Sequence, residues 1–174
     1  MREGKQMKQW IRLLCLWCLA ASPSARAQTQ ARNVPADILA KVKSYKLHTW
    51  PDGTVYVNCD KAIPEIFGAA AMVTGKRRRR PNKAIPGAIV ALAERLPKGG
   101  AIHLGRFGGG LDFRRIQDGI LITGGKGGIT LGTGQKGIDA MFVKNVSIQP
   151  GVKGKEPIED LLVLGSHIGR INAP

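Results

Sequence analysis

The chain has 174 residues, 43% of them hydrophobic, and its 27 Lys and Arg outnumber 12 Asp and Glu to give a formal net charge of +15. This length predicts one compact domain with its own core rather than several domains. Beyond the N-terminal region, no segment is long and apolar enough to cross a bilayer.

The first 27 residues have the order of a secretory signal peptide. A basic segment, Met1–Arg12, precedes an apolar run, Leu13–Ala21, and then the small residues Ala25 and Ala27. The alternative, a membrane anchor, is disfavoured because the apolar run is shorter than the roughly 20 residues that span a bilayer. We therefore expect cleavage after Ala27 and a secreted or periplasmic protein.

Cleavage would leave Cys59 as the only cysteine and about +11 of the net charge. A single cysteine forms no internal disulfide, so a buried free thiol is expected in preference to pairing between chains. Positive charge outside the cytoplasm favours an anionic partner, such as an acidic polysaccharide, lipid headgroups or extracellular nucleic acid. A basic surface that only maintains solubility is the alternative.

Residues 28–100 are predicted to form a helical or mixed N-terminal part. Apolar spacing together with proline and glycine signals predicts its elements. In chain order they are the helix Pro35–Tyr45, the turn Trp50–Gly53, the strand Thr54–Val57, the helix Ile63–Thr74 opened by Pro64, and the helix Ile85–Leu96.

Five consecutive cations stand between the last two of these helices: Lys76, Arg77, Arg78, Arg79 and Arg80. We interpret this basic loop, residues 76–80, as an anion-docking segment for sulfate, uronate or phosphate groups. Two alternatives stay open, a processing site for a basic-specific protease and a solvated run of charge.

Residues 101–174 are predicted to form a glycine-rich β region with a nine-residue period. Units that pair glycine with an aliphatic residue start at Gly110, Gly119, Gly128 and Gly137, and Ala101 begins a similar unit one period earlier. In each unit the first and third side chains after the start are mostly apolar and the second is variable, which predicts a short strand with one buried face.

A short fixed period in such a chain predicts a β-helix, a β-roll or a tight antiparallel meander. The expected fold class is therefore mainly β, with two or three N-terminal helices before a short β-helix-like repeating region.

The segment Ile85–Ile171, with its phrase GILITGGKGGITL, resembles the N-terminal part of a right-handed parallel β-helix of the pectin-lyase-like superfamily. The resemblance implies a capping helix, glycine-bounded strands and three or four coils. Members often act on acidic polysaccharides, some with calcium held by aspartates and an arginine or lysine base. The resemblance places Asp112, Asp118, Asp139, Arg114 and Arg115 in the corresponding region without assigning a catalytic residue. We name Arg114 and Arg115, with the basic loop, as candidate anion-binding residues.

A second resemblance concerns the segments Val55–Gly75, Pro86–Leu96 and Leu111–Thr123. Their order is similar to the short N-terminal periplasmic domain of secretins and TonB-dependent receptors. It implies a non-enzymatic interaction module of an envelope secretion or transport machine.

Sequence patterns for cofactors and metals are incomplete. Gly124–Gly128 has the glycines and lysine of a phosphate loop but lacks the Lys-Ser/Thr pair and a following helix. A calcium nonapeptide would need an aspartate where Ile129 stands. His48, His103 and His167 lack metal-ligand spacing. We predict no cofactor, no metal and no nucleotide.

The leading functional expectation is an exported basic protein that binds, and could modify, an anionic polysaccharide. The envelope interaction module is the alternative. If the protein is an enzyme, a polysaccharide lyase is the expected type.

Overall fold

The computed structural model describes residues 34–69 and 82–171. It is mainly β with three helices, and its C-terminal region is a β-solenoid of about four turns. The predicted fold class is therefore confirmed. The expected cleavage residues Ala25 and Ala27 and the basic loop lie outside the described residues.

The described elements comprise three helices and ten strands. The helices are α1 (Ala36–Ser44), α2 (Cys59–Phe67) and α3 (Ala84–Glu94). The strands are β1 (His48–Thr49), β2 (Val55–Asn58), β3 (Ala101–Gly105), β4 (Leu111–Asp112), β5 (Leu121–Gly124), β6 (Gly128–Gly132), β7 (Asp139–Met141), β8 (Asn145–Gln149), β9 (Leu162–Leu164) and β10 (His167–Ile171).

Two of the predicted helices are found close to their expected bounds, as α1 and α3, but the predicted start of α2 at Ile63 is wrong. The helix begins at Cys59 because Asn58 caps it, its side-chain oxygen accepting a hydrogen bond from the Asp60 N–H at 2.9 Å. Pro64 consequently lies inside the helix. The helix ends at Phe67, where Gly68 has a φ of 91°.

The strands form two sheets, which explains the nine-residue period. Sheet A has the order β1-β2-β3-β5-β7-β9, and sheet B has the order β10-β8-β6-β4. Successive repeat units alternate between the sheets, so two units make one coil. All pairings are parallel except that of β1 with β2. Of the alternatives that the sequence left open, parallel coils are therefore correct and an antiparallel meander is not.

The register places the predicted apolar positions between the sheets. In sheet A, Ile102 pairs with Ile122, which pairs with Ala140, and all three are fully buried. In sheet B, Ile129 pairs with Val146, and both are at most 2% exposed. Each buried isoleucine or valine side chain among them stabilises the fold by about 1.5–3 kcal/mol.

The helices cover the N-terminal end of the solenoid. Ile63 of α2 and Ile89 of α3 belong to the same buried cluster as Ile102, and Val57 of β2 pairs with Ile102 directly. Cys59 in α2 is a free, buried cysteine, as expected, and burial raises the pKa of its thiol to about 12. Among the described residues, no helix has the length and apolarity needed to cross a membrane.

Candidate anion-binding site

Each coil bends after its sheet A strand, and this bend is rich in glycine. Between β5 and β6 the chain turns through Gly124 and Gly125, with φ values of 72° and 99°. These left-handed values cost little for glycine and are strained for other residues. The segment that superficially matches a phosphate loop is thus a solenoid bend, and it is followed by strand β6 rather than by a helix.

Backbone hydrogen bonds stack the bends of successive coils. The Lys126 N–H donates to the Phe107 carbonyl at 2.7 Å, and the Lys144 N–H donates to the Gly125 carbonyl at 3.2 Å. This second bond places Lys144 in the same bend as Lys126, one coil later. Neighbouring strands lie about 4.8 Å apart, so the two lysines follow one another at about that interval along the solenoid axis.

Arg106 occupies the same bend one coil earlier, because the Gly125 N–H donates to the Gly105 carbonyl at 3.1 Å. We call Arg106, Lys126 and Lys144 the basic corner; all three are exposed. Within the described residues, one ion pair reaches this corner, with Asp60 Oδ1 3.9 Å from Arg106 Nε, and the Arg106 side chain is still 78% exposed.

The charge of the two lysines is not compensated within the described part of the chain. There, no carboxylate oxygen lies within 4.0 Å of the ammonium group of Lys126 or Lys144. Two like charges in neighbouring coils repel each other. The basic corner is therefore a place where an anion from outside the chain would lower the electrostatic energy.

Polar groups adjoin the basic corner on the outer face of sheet A. His103 and Thr123 pair across β3 and β5, and His103 Nδ1 lies 3.0 Å from Thr123 Oγ1. His103 is exposed, as the alternation predicted. Hydroxyl or carboxylate groups of a ligand that lies on the corner would meet these side chains.

Arg114, one of the two arginines predicted to bind anions, is buried and already paired. Its side chain is 8% exposed, and its Nη2 lies 2.8 Å from Asp112 Oδ2. Its Nη1 donates to the Pro150 carbonyl at 3.2 Å. The hydrogen bond to Asp112 raises the pKa of Arg114 against the opposing effect of burial. Its neighbour Arg115 is exposed.

The bend after sheet B is built from polar groups that serve the fold. Gln135 is fully buried; its Nε2 donates to the Phe113 carbonyl at 2.9 Å, and its Oε1 accepts from the Gly132 N–H at 2.7 Å. Thr133 bonds Gly151 in the next coil. Arg114 belongs to this structural bend, on the opposite side of the coil from the basic corner.

Two other lysines on the solenoid, Lys136 and Lys153, have acidic partners. Lys136 Nζ lies 2.7 Å from Glu159 Oε2, and Lys153 Nζ lies 2.8 Å from Asp118 Oδ1. Hydrogen bonding to Lys153 is the largest of the effects that lower the pKa of Asp118. These ion pairs join different coils and leave little charge for an external anion.

Sequence reasoning did not select the basic corner. Lys126 and Lys144 are two nine-residue units apart. Once two units are known to form one coil, that spacing places both lysines at the same position of successive coils. The basic loop, which the sequence did select, is outside the described residues, so its role stays a prediction.

The described residues contain no group of three or more His, Cys, Asp and Glu side chains that could hold a metal ion. Ile129, at the aspartate position of a calcium nonapeptide, points into the core with 2% exposure.

Comparisons of the chain with protein-family models, with curated protein sequences and with solved structures find no match. The parallel solenoid is compatible with the β-helix resemblance, but no comparison supports the pectin-lyase-like or the secretin-like family. The function must therefore be argued from the site.

Proposed function

We propose that this protein is exported and binds an anionic polysaccharide through the basic corner. One observation carries the proposal: Lys126 and Lys144 lie in the same bend of successive coils without a carboxylate within 4.0 Å in the described structure. The net charge of about +11 that remains after cleavage supports it at the level of the whole chain.

The arrangement suits a linear polyanion better than a compact anion. The lysines repeat along the solenoid axis at about the strand spacing of 4.8 Å, and both are exposed. A compact phosphate is typically held by converging N–H groups in a concave site. Lysine ammonium groups act as point charges with rotatable donors, which suits carboxylate or sulfate groups spaced along a chain.

Some of the cations outside the basic corner remain candidate contacts for the polysaccharide, and one does not. Arg115 is exposed and remains a candidate contact, as does the basic loop, residues 76–80. Arg114 is excluded because its guanidinium N–H groups are directed at Asp112 and Pro150.

Affinity chromatography of the purified protein tests the proposal. Columns of pectate, alginate and heparin are loaded at low salt and eluted with a salt gradient, beside a double-stranded DNA column. We expect the protein to be retained on at least one polysaccharide column at low salt. It should elute as the salt concentration rises, because salt screens the charges. Flow through all three polysaccharide columns, or retention on DNA alone, would overturn the proposal.

Export is tested separately by sequencing the N-terminus of the protein recovered from its host. A first residue of Gln28 is expected, because the basic, apolar and small-residue segments end at Ala27. An intact N-terminus on protein retained in the cytoplasm would contradict export and leave polysaccharide binding to its own test.

A further inference from the structure

A cluster of aromatic rings lies at the β1 edge of sheet A. It contains Tyr45 and Tyr56, the two tyrosines of the chain, and Trp50, the one tryptophan after residue 27, together with His48. Tryptophan and tyrosine combine a large apolar ring with a polar end, and they are concentrated where proteins bind other molecules. Their gathering at one place is what a binding surface requires.

The cluster is on the outer side of sheet A. Val57 is fully buried and points inward from β2, so its neighbour Tyr56 points outward. His48 pairs with Tyr56 across the antiparallel strands β1 and β2, and it is therefore on the same side. The rings consequently face solvent rather than the core.

The rings contact one another in order, from the buried Tyr45 to the exposed Trp50. Tyr45 is 5% exposed and meets His48 edge to face, with ring centroids 6.1 Å apart. The centroids of His48 and Tyr56 are 5.3 Å apart. Tyr56 stacks on Trp50 at 4.9 Å, with 28° between the ring planes. Each ring limits the rotation of the next, so the indole is positioned before a ligand arrives.

The backbone of Trp50 is fixed as well. Its N–H donates to the Thr54 carbonyl at 2.9 Å, and its carbonyl accepts from the Gly53 N–H at 3.0 Å. Asp52 closes the same turn, because its Oδ1 accepts from the Thr54 N–H at 2.9 Å. A side chain that is already ordered loses less conformational entropy when it binds.

Trp50 stays 41% exposed in spite of these contacts. Of the seven exposed large hydrophobic side chains among the described residues, it is the only one before residue 142. Tyr56 lies against one face of the indole, so the exposed surface is provided by the other face and the edges. The ring stack is therefore open at its Trp50 end, where one more ring can be added.

We propose that the open face of Trp50 binds a sugar ring, an uncharged pyranose residue of a polysaccharide. The C–H groups on one face of a pyranose are polarised by the neighbouring oxygens and are attracted to the negative face of an indole. Stacking also removes apolar surface of both rings from water. This inference goes beyond the proposed function and does not depend on it.

Polar groups beside Trp50 suit the hydroxyl groups of such a sugar. Thr49 precedes Trp50, Asp52 lies in the turn that follows, and both side chains are exposed. A hydroxyl and a carboxylate both accept hydrogen bonds from sugar hydroxyls. The hydrogen bond from the Thr54 N–H is the largest of the effects that lower the pKa of Asp52. This carboxylate is therefore ionised at neutral pH.

Two other ligands of aromatic side chains fit less well. A quaternary ammonium group is held by a cage of several rings, whereas the stack in the described structure ends in one open ring. A nucleobase stacks on tryptophan as a sugar does, but its phosphate would be repelled by the ionised Asp52. Single-stranded DNA is therefore the competing ligand in the test.

Tryptophan fluorescence tests the proposal directly. In a chain with Trp10→Phe and Trp17→Phe, Trp50 is the only tryptophan whether or not residues 1–27 are cleaved. The probes are the hexasaccharides of cellulose, xylan, mannan and chitin at up to about 10 mM, beside a thymidine oligonucleotide. We expect a saturable change with at least one hexasaccharide. No change with any of the four, or a change with the oligonucleotide alone, overturns the proposal.

The salt dependence separates this site from the basic corner. Stacking of an uncharged sugar should be the same at low and high salt, whereas binding of a polyanion to lysines weakens as salt is added. A hexasaccharide response that disappears at high salt would contradict the proposal. The response does not depend on retention by the pectate, alginate and heparin columns, so either result can fail without the other.

Substitutions of Trp50 separate stacking from general apolar contact. Trp50→Leu keeps an apolar side chain but removes the ring, and it should weaken binding of the responding hexasaccharide by about tenfold or more. Trp50→Phe keeps a smaller ring and should lose less. Titration calorimetry measures both affinities, and urea unfolding shows whether each variant is folded. An affinity of Trp50→Leu equal to that of the unmodified protein would contradict stacking.

Phe142→Leu is the matched control. Phe142 is an aromatic side chain with 66% exposure outside the cluster, and its replacement should leave the affinity for the hexasaccharide unchanged. An equal loss in Phe142→Leu and Trp50→Leu would mean that exposed apolar surface in general, rather than the Trp50 ring, binds the sugar.

Discussion

Lys144 lies in the same solenoid bend as Lys126, one coil later, and its N–H donates to the Gly125 carbonyl at 3.2 Å. The fold thereby holds two like charges at one position of successive coils, with no carboxylate within 4.0 Å of either ammonium group in the described structure. A repeated backbone makes such a column almost unavoidable once the same residue type recurs at the coil period. The column has an electrostatic cost that a bound polyanion would remove.

Replacing both lysines, Lys126→Gln with Lys144→Gln, should weaken binding to the retaining polysaccharide by about tenfold or more, given about 1 kcal/mol for each cation near an anionic surface. The stability should stay the same or rise slightly, because the substitution relieves repulsion. Isothermal titration with the polysaccharide and urea unfolding measure the two effects.

The matched control removes the same charge from the other bend, by Lys136→Gln with Lys153→Gln. These lysines are paired with Glu159 and Asp118, and an ion pair attracts an external anion only weakly. The affinity for the polysaccharide should therefore change less than about twofold. An equal loss in both variants would mean that total charge, rather than the basic corner, determines binding.

The Asp112–Arg114 pair is predicted to stabilise the fold. The Arg114 side chain is only 8% exposed, and Asp112→Asn removes its ionic partner. The expected loss is about 3 kcal/mol of unfolding free energy. Urea denaturation measures it. Arg115→Ala, at the exposed neighbour, should stay within about 0.5 kcal/mol. If the two substitutions cost the same, the pair is not structural.

A glycine in the bend next to Lys126 is required by the stacking of coils. A Cβ on Gly127 would lie 1.9 Å from the Gly109 carbonyl oxygen, so Gly127→Ala must push two backbones apart. We expect a loss of about 1–3 kcal/mol and weaker polysaccharide binding, because Lys126 moves with the bend. Thermal unfolding and the affinity columns measure both.

Gly110 provides the control for this substitution. A Cβ there meets no atom within 4 Å, and its φ is not positive. Gly110→Ala should therefore be neutral, or stabilise by up to about 1 kcal/mol through the unfolded state. If Gly110→Ala is as destabilising as Gly127→Ala, the close backbone approach is not the cause.

The strands were predictable because period-2 alternation within each nine-residue unit reports which side chains face inward. Ile120, Ile122, Ile129 and Leu131 are all buried as that alternation required. The assignment of alternate units to two sheets was not predictable in the same way. It depends on pairing between coils, such as Leu121 with Asp139, and a local pattern does not contain that information.

The site was less predictable than the fold. The sequence selected Arg114 because of the region in which it lies, but Asp112, two residues earlier, forms an ion pair with it. The sequence pattern also predicted that α2 begins at Ile63, next to Pro64, whereas Asn58, five residues before that, caps the helix. The wrong start of α2 comes from weighing Pro64 without the capping residue Asn58, and the sequence likewise weighed Arg114 without Asp112. Lys126 and Lys144 became recognisable only when the coil length was known.

The Asp118–Lys153 ion pair predicts a pH dependence of stability. Hydrogen bonding to Lys153 lowers the pKa of Asp118 below its ordinary value, despite the opposing effect of desolvation. A carboxyl whose folded-state pKa is lowered stabilises the protein fully above its unfolded pKa of about 4. That contribution is lost as the pH falls through the folded-state pKa. The melting temperature of the unmodified protein should therefore exceed that of Asp118→Asn at neutral pH, and the difference should shrink in acid. Lys153→Met removes the partner of Asp118. In a double-mutant cycle, Asp118→Asn should therefore lower the melting temperature much less when Lys153→Met is already present. A difference that is constant from neutral to acidic pH would show that the ion pair contributes no electrostatic stability.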